Sequence, residues 1–176
     1  MLAVWHYDSP LGGMTMTGDG EALLSLGFDA PSSISGQPCP DRVARMLPVF
    51  EETVRWLDCY FSGQAPDFTP TLLLQGTPFR KSVWKILLEI PFGATTSYGQ
   101  VAARLTLPER SSVLSGSGKP ASGRMSAQAV GGAVGHNPIA LIVPCHRVIG
   151  ADGSLTGYTA GLDRKTWLLR HEGIIF

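Results

Sequence analysis

The sequence predicts an α+β protein: a small N-terminal antiparallel sheet with a helix, then a C-terminal helical, helix-turn-helix (winged-helix-like) domain carrying a candidate nucleophilic cysteine. Three observations predict it. Short strand patterns separated by Gly-containing turns open the chain, an apolar pattern of helical spacing runs on to Phe61, and the charge divides near Gln75.

Residues 2–7, 14–17 and 22–28 read as three strands, separated by Ser-Pro-Leu-Gly-Gly and Gly-Asp-Gly turn signals. Val43, Leu47, Phe50, Val54, Leu57 and Phe61 then recur at helical spacing, with Pro48 as a start or kink and Gly63 as a stop. Trp56, Tyr60 and Phe61 in this helix read as core. Thr77-Pro78 is a cap followed by a first-turn proline, and it opens a helix with Phe79, Val83, Ile86, Leu87 and Ile90 on one side, stopped by Pro91 and Gly93. Residues 97–105 read as a short helix, residues 106–124 are rich in Ser, Gly and Pro, and Ser126 caps a helix running to about Val134. Two short helices joined by a connector predict a helix-turn-helix, although this connector is long for that motif.

The zero net charge hides an asymmetry. Residues 1–75 hold three Lys/Arg against nine Asp/Glu, a balance of −6, while residues 76–176 hold eleven against five, a balance of +6. We therefore expect two domains, 1–75 and 76–176, with the basic one meeting nucleic acid. No apolar run is long enough for a membrane span, and no basic segment followed by a hydrophobic stretch opens the chain. Three cysteines, Cys39, Cys59 and Cys145, cannot all pair, which suits a reducing, cytoplasmic compartment. Cys39 lies in a Pro-rich segment without metal-like partners, and no metal or other cofactor is expected.

The most informative motif is Pro144-Cys145-His146-Arg147-Val148, at the end of the apolar run 139–143. A thiol beside an imidazole and a guanidinium predicts a readily formed thiolate. By itself the pentapeptide leaves a structural cysteine open, because adjacent side chains often point apart.

Its surroundings are more specific. Gln128-Ala129-Val130-Gly131-Gly132-Ala133-Val134-Gly135-His136-Asn137-Pro138 precedes it, Gly157-Tyr158-Thr159-Ala160-Gly161-Leu162 follows, and Trp167-Leu168-Leu169-Arg170-His171-Glu172-Gly173 comes last. With Asp8-Ser9-Pro10-Leu11-Gly12, Trp56-Leu57-Asp58-Cys59-Tyr60-Phe61, Pro91-Phe92-Gly93 and Ser97-Tyr98, these motifs cover nearly the whole chain. Together they resemble the O6-alkylguanine-DNA alkyltransferases, also called methylated-DNA–protein-cysteine methyltransferases.

The resemblance implies a ribonuclease H-like N-terminal domain. It also implies direct-reversal DNA repair, in which the protein flips the damaged base and moves its alkyl group irreversibly to Cys145, once per molecule. It implies a monomer that binds double-stranded DNA in the minor groove. Cys145 would be the nucleophile, with His146 taking its proton directly or through one water and Glu172 fixing the imidazole tautomer. Tyr98 would donate to guanine N3. Backbone carbonyls of Cys145 and Val148 would read the exocyclic amine, and the Thr159 N–H would meet O6. Ala129, Gly131, Gly132 and Ala133 would let the second helix approach the sugar-phosphate walls. Asn137, before Pro138, suits a hydrogen-bonded turn bracing the active loop. Arg147 would hold local structure or contact the C-terminal backbone, and Lys165 would lie near the thiol. Many relatives have arginine where this chain has Gln128, the side chain that fills the gap left by the flipped base. A Cys-His hydrolase and a non-catalytic lesion sensor are the competing readings, the first needing an oxyanion hole and the second lacking a reactive cysteine.

Overall fold

The computed structural model describes residues 2–29, 43–105 and 125–175. The expectations for Cys39 and for the 106–124 connector lie outside these residues. The chain opens with strands β1 (Ala3–Ser9), β2 (Gly12–Gly18) and β3 (Leu23–Phe28), an antiparallel meander in the order β3-β2-β1. Gly12, at φ +107°, turns the chain between β1 and β2, and the Ser9 hydroxyl donates to its carbonyl at 2.6 Å. Strand alternation buries Met14 and Met16 on one face. Helix α1 (Pro48–Phe61) supplies Phe50, Trp56, Leu57 and Tyr60 to the same core, and each buried side chain of this size contributes about 1.5–3 kcal/mol.

Pro48, expected as a start or a kink in the apolar pattern from Val43, is the start of α1. Leu47 is its N-cap, at φ −107° and ψ 155°, because proline at the first helical position pushes its predecessor into extended backbone. Upstream, Val43–Ala44 forms β4, paired parallel to β1.

Helices α2 (Pro78–Leu88), α3 (Tyr98–Leu105) and α4 (Ala127–Gly135) pack on one another in the C-terminal half. The expected caps form: Thr77 accepts from the Arg80 N–H at 3.3 Å, and Ser126 from the Ala129 N–H at 3.1 Å. Trp84 ties α2 to α4 by donating its indole N–H to the Ala133 carbonyl at 2.9 Å. The last helix is α5 (Leu162–His171). Strands β5 (Thr96–Ser97) and β6 (Val148–Ile149) pair in parallel, which sets the start of α3 beside the end of the cysteine motif.

The outer edge of β3 is covered twice. Leu23 pairs with residues 71–73, and Leu26 exchanges backbone hydrogen bonds with Pro138 and Ala140, at 2.9 and 2.8 Å. This second pairing closes an exposed edge and fastens the segment leading to Cys145 onto the N-terminal sheet.

Candidate active site

Two tight turns present the cysteine. The Ile142 N–H donates to the Ala140 carbonyl at 2.8 Å around Leu141, a non-glycine residue at φ +68°, which stores backbone strain. Pro144, at φ −81° and ψ 65°, then forms an inverse γ-turn, closed by the Cys145 N–H on the Val143 carbonyl at 2.8 Å. Proline's ring favours that φ, so the turn is partly set before folding. A single 3₁₀ turn, Cys145–Arg147, follows and places cysteine, imidazole and guanidinium in the interior. Asn137 braces the loop from both sides: its Oδ1 accepts from the Ile139 N–H at 2.9 Å, and its Nδ2 donates to the Val143 carbonyl at 2.8 Å.

Glu172, one position past α5, is the hub of a buried polar network. Its Oε1 lies 2.6 Å from His146 Nε2 and accepts from the Tyr60 hydroxyl at 2.8 Å and Arg147 Nη2 at 3.0 Å. Its Oε2 accepts from Arg147 Nε at 2.9 Å and the Gly93 N–H at 3.0 Å. Burial alone would push this carboxyl up; the hydrogen bonds from His146 and Arg147 and the Arg147 charge outweigh it and hold the group down at about 2. An ionised carboxylate only accepts, so His146 Nε2 carries the hydrogen. Burial pushes the imidazole below its ordinary value, against the pull of Glu172, and the ring is neutral. His146 Nδ1 is therefore a bare lone pair, buried and without a hydrogen-bond partner among the described residues.

The thiol differs from the simple expectation for its neighbours. Burial pushes Cys145 up, and the Asn137 hydrogen bond and the Lys165 charge only partly offset this. The resting group is a thiol that needs a base. Lys165 is fully buried, donates to the Val148 carbonyl at 2.6 Å and the Thr156 carbonyl at 3.0 Å, and is lowered by desolvation to about 8. The Val148 carbonyl, expected to read a base, thus already accepts one hydrogen bond.

Arg147, expected to hold local structure or to contact the C-terminal backbone, meets the C-terminal segment at the Glu172 side chain. Its guanidinium is buried on Glu172 and on the Ile90 carbonyl, 2.6 Å away, so it is not presented at the surface. The Tyr98 hydroxyl donates to the Thr156 carbonyl at 2.9 Å. Thr159 donates its hydroxyl to the Gly135 carbonyl at 3.0 Å. Gln128 and Ala129 are exposed on α4, while Gly131 lies against the Tyr98 ring.

Two residues escape a pattern-based reading. Tyr60 looks like core by spacing, yet its hydroxyl reaches Glu172; Tyr158 has a buried hydroxyl without a hydrogen-bond partner among the described residues. Only the position of both inside quoted motifs points to them.

Open space meets the site from two directions. A cleft of about 560 Å³ is lined by Tyr98, Gln128, Gly131, Thr156 and Tyr158, among others. A second cavity of about 360 Å³ is lined by Cys145, Asn137, Val134 and Ala140. Gly135 and Thr159 border both. Among the described residues no cluster of His, Cys, Asp or Glu is suited to hold a metal ion, and no helix is long and apolar enough to cross a membrane.

Comparison with known proteins agrees with this geometry. Residues 5–74 match the model of the 6-O-methylguanine DNA methyltransferase ribonuclease-like domain, and residues 78–174 match that of the DNA-binding domain of the same family. A methylated-DNA–protein-cysteine methyltransferase of Methanosarcina acetivorans is 41% identical over 170 residues, 95% of this chain and 96% of the relative. One of Mycobacterium bovis is 42% identical over 174 residues, covering 95% and 92%. The crystal structure of Mycobacterium tuberculosis OGT in complex with DNA superposes with a TM-score of 0.77 at 40% identity, over 97% of this chain and 92% of that one. Matched along both halves and in fold, this chain belongs to the 6-O-methylguanine DNA methyltransferase family.

Proposed function

We propose that this protein repairs O6-alkylguanine in double-stranded DNA by moving the alkyl group to its own Cys145, irreversibly and once per molecule. The observation that carries this reading is the buried lone pair on His146 Nδ1, one residue from a buried thiol, with the opposite ring nitrogen held by Glu172.

His146 takes the thiol proton on Nδ1, directly or through one water, and the imidazolium that forms is stabilised by the Glu172 carboxylate. The thiolate attacks the alkyl carbon in line. The Sγ–C bond forms as the C–O6 bond breaks, and the electron pair leaves on the purine. Lys165 favours the thiolate by charge.

The purine occupies the cleft beside Tyr98, where it is reached only after flipping, at a cost of a few kcal/mol. Tyr98 reaches guanine N3 by leaving the Thr156 carbonyl. That release is cheap, because Lys165 also donates to the same carbonyl and keeps it satisfied. The exposed start of α4 faces the minor groove, and Gln128 takes the place of the departed base in the stack. The thioether product has no hydrolysis route, so Cys145 does not recycle. A free nucleophilic thiol fits the reducing cytoplasm, and the protein acts as a monomer.

Mass spectrometry after incubation with duplex O6-methylguanine DNA tests this. The expected result is one methyl on the Cys145 peptide, product at one equivalent, and no transfer by Cys145→Ser. Sustained turnover, or full transfer by that variant, overturns it.

A further inference from the structure

The cavity beside Cys145, at about 360 Å³, is far larger than a methyl group requires, since room for one water is about 10–15 Å³ on the same measure. Its far wall is the open face of the N-terminal sheet: Thr15 and Thr17 of β2, Ser25 of β3, and Asp29 just beyond. Alternation along β2 explains this, because Met14 and Met16 point into the core and Thr15 and Thr17 therefore point the other way.

This wall is polar and its hydroxyls are ordered. Thr15 Oγ1 donates to Asp29 Oδ1 at 2.5 Å and lies 3.0 Å from His6 Nδ1; the Thr17 and Ser25 hydroxyls are 2.6 Å apart. Asp29 Oδ2 has no hydrogen bond among the described residues. The wall thus offers a negatively charged acceptor, while Phe28, Leu26, Val134 and Ala140 supply apolar lining.

Gly135 and Thr159 line both the purine-side cleft and this cavity, and Cys145 lines the cavity. In an in-line displacement, the substituent on the attacked carbon has to leave the sulfur–oxygen axis sideways. With the purine beside Tyr98, the open space on the thiol side is this cavity.

We infer that the Thr15–Asp29 wall of this cavity selects, among O6-alkylguanines with tails longer than methyl, those ending in a hydrogen-bond donor over those ending in a carboxylate. This rests on the alkyl-transfer reading above. The reaction is unchanged: sulfur bonds to the first carbon of the tail, the C–O6 pair leaves on guanine, and the tail end stays intact.

Single-turnover rates on duplexes carrying O6-methyl-, O6-(4-hydroxybutyl)- and O6-(3-carboxypropyl)guanine test it. The two long tails present the same kind of primary carbon, so their ratio reports on the cavity. The hydroxybutyl group is expected to transfer at least ten times faster than the carboxypropyl group. Asp29→Asn, and separately Thr15→Val, should each reduce that ratio at least threefold, and a uniform loss of activity cancels in the ratio. A wild-type ratio below ten, a ratio that neither variant reduces threefold, or transfer of methyl but of neither long tail overturns the inference. Failure to transfer even methyl overturns the alkyl-transfer reading instead.

Discussion

The Glu172 network and the exposed start of α4 are both polar, and they treat polarity in opposite ways. Around Glu172, five donors from α1, the 3₁₀ turn and the Gly93 loop converge on two oxygens, so each of these donors is satisfied by the fold itself. At the start of α4, Ser126, Ala127, Gln128 and Ala129 are exposed, and no hydrogen bond holds the Gln128 side chain among the described residues. The first region is a closed set in which removing one member strands the others. In the proposed reading the second meets DNA, so losses there should show only when DNA is present.

Glu172→Gln should break the contrast most severely. Neutralising the hub leaves Arg147 a buried, uncompensated cation, at a cost of about 3–5 kcal/mol in stability. Denaturant midpoints would fall sharply, and a change below 1 kcal/mol would mean that the network is not closed.

Acid should reach the same region without mutation. The unfolded chain protonates His146 near 6.5, while the buried ring resists it, so stability is present above that pH and declines as pH falls through it. A second decline belongs to Glu172, whose contribution is present above 4.5 and is lost as pH falls from 4.5 towards about 2. Urea midpoints at pH 8, 6 and 4 should decrease in that order, and His146→Gln should flatten the step between 8 and 6.

Tyr60→Phe sharpens the comparison, since it removes one donor and leaves the ring packed. A loss of about 1–2 kcal/mol is expected, with a slower single-turnover rate because Glu172 is held less firmly. A rate equal to that of the unsubstituted protein would assign Tyr60 to packing alone.

The smallest effect on the isolated protein belongs to Gln128→Ala, with stability changed by no more than about 0.5 kcal/mol. Its effect should appear only with a base stack to fill. The single-turnover rate on duplex should fall while the rate on free O6-methylguanine holds, and equal ratios on both would place Gln128 outside the stack.

The amino-acid sequence by itself determined the elements and the candidate nucleophile. The meander, the Thr77 and Ser126 caps and the turn-prone prolines are local signals, each acting within a few residues, and Pro144-Cys145-His146 is contiguous. At helix α1, Val43 and Leu47 keep the apolar spacing, which left Pro48 open as a start or a kink, and the proline decides where helical backbone begins.

The tertiary structure decided what those groups are bonded to. Tyr60 and Glu172 are 112 positions apart, and a tyrosine on an apolar stripe gives no sign of where its hydroxyl ends. Arg147, whose sequence neighbours do not show which group it meets, is drawn inward by a carboxylate 25 positions away. The thiol shows the same division: sequence neighbours suggested a lowered pKa, but burial raises it, because desolvation is set by everything packed around a group rather than by the residues beside it.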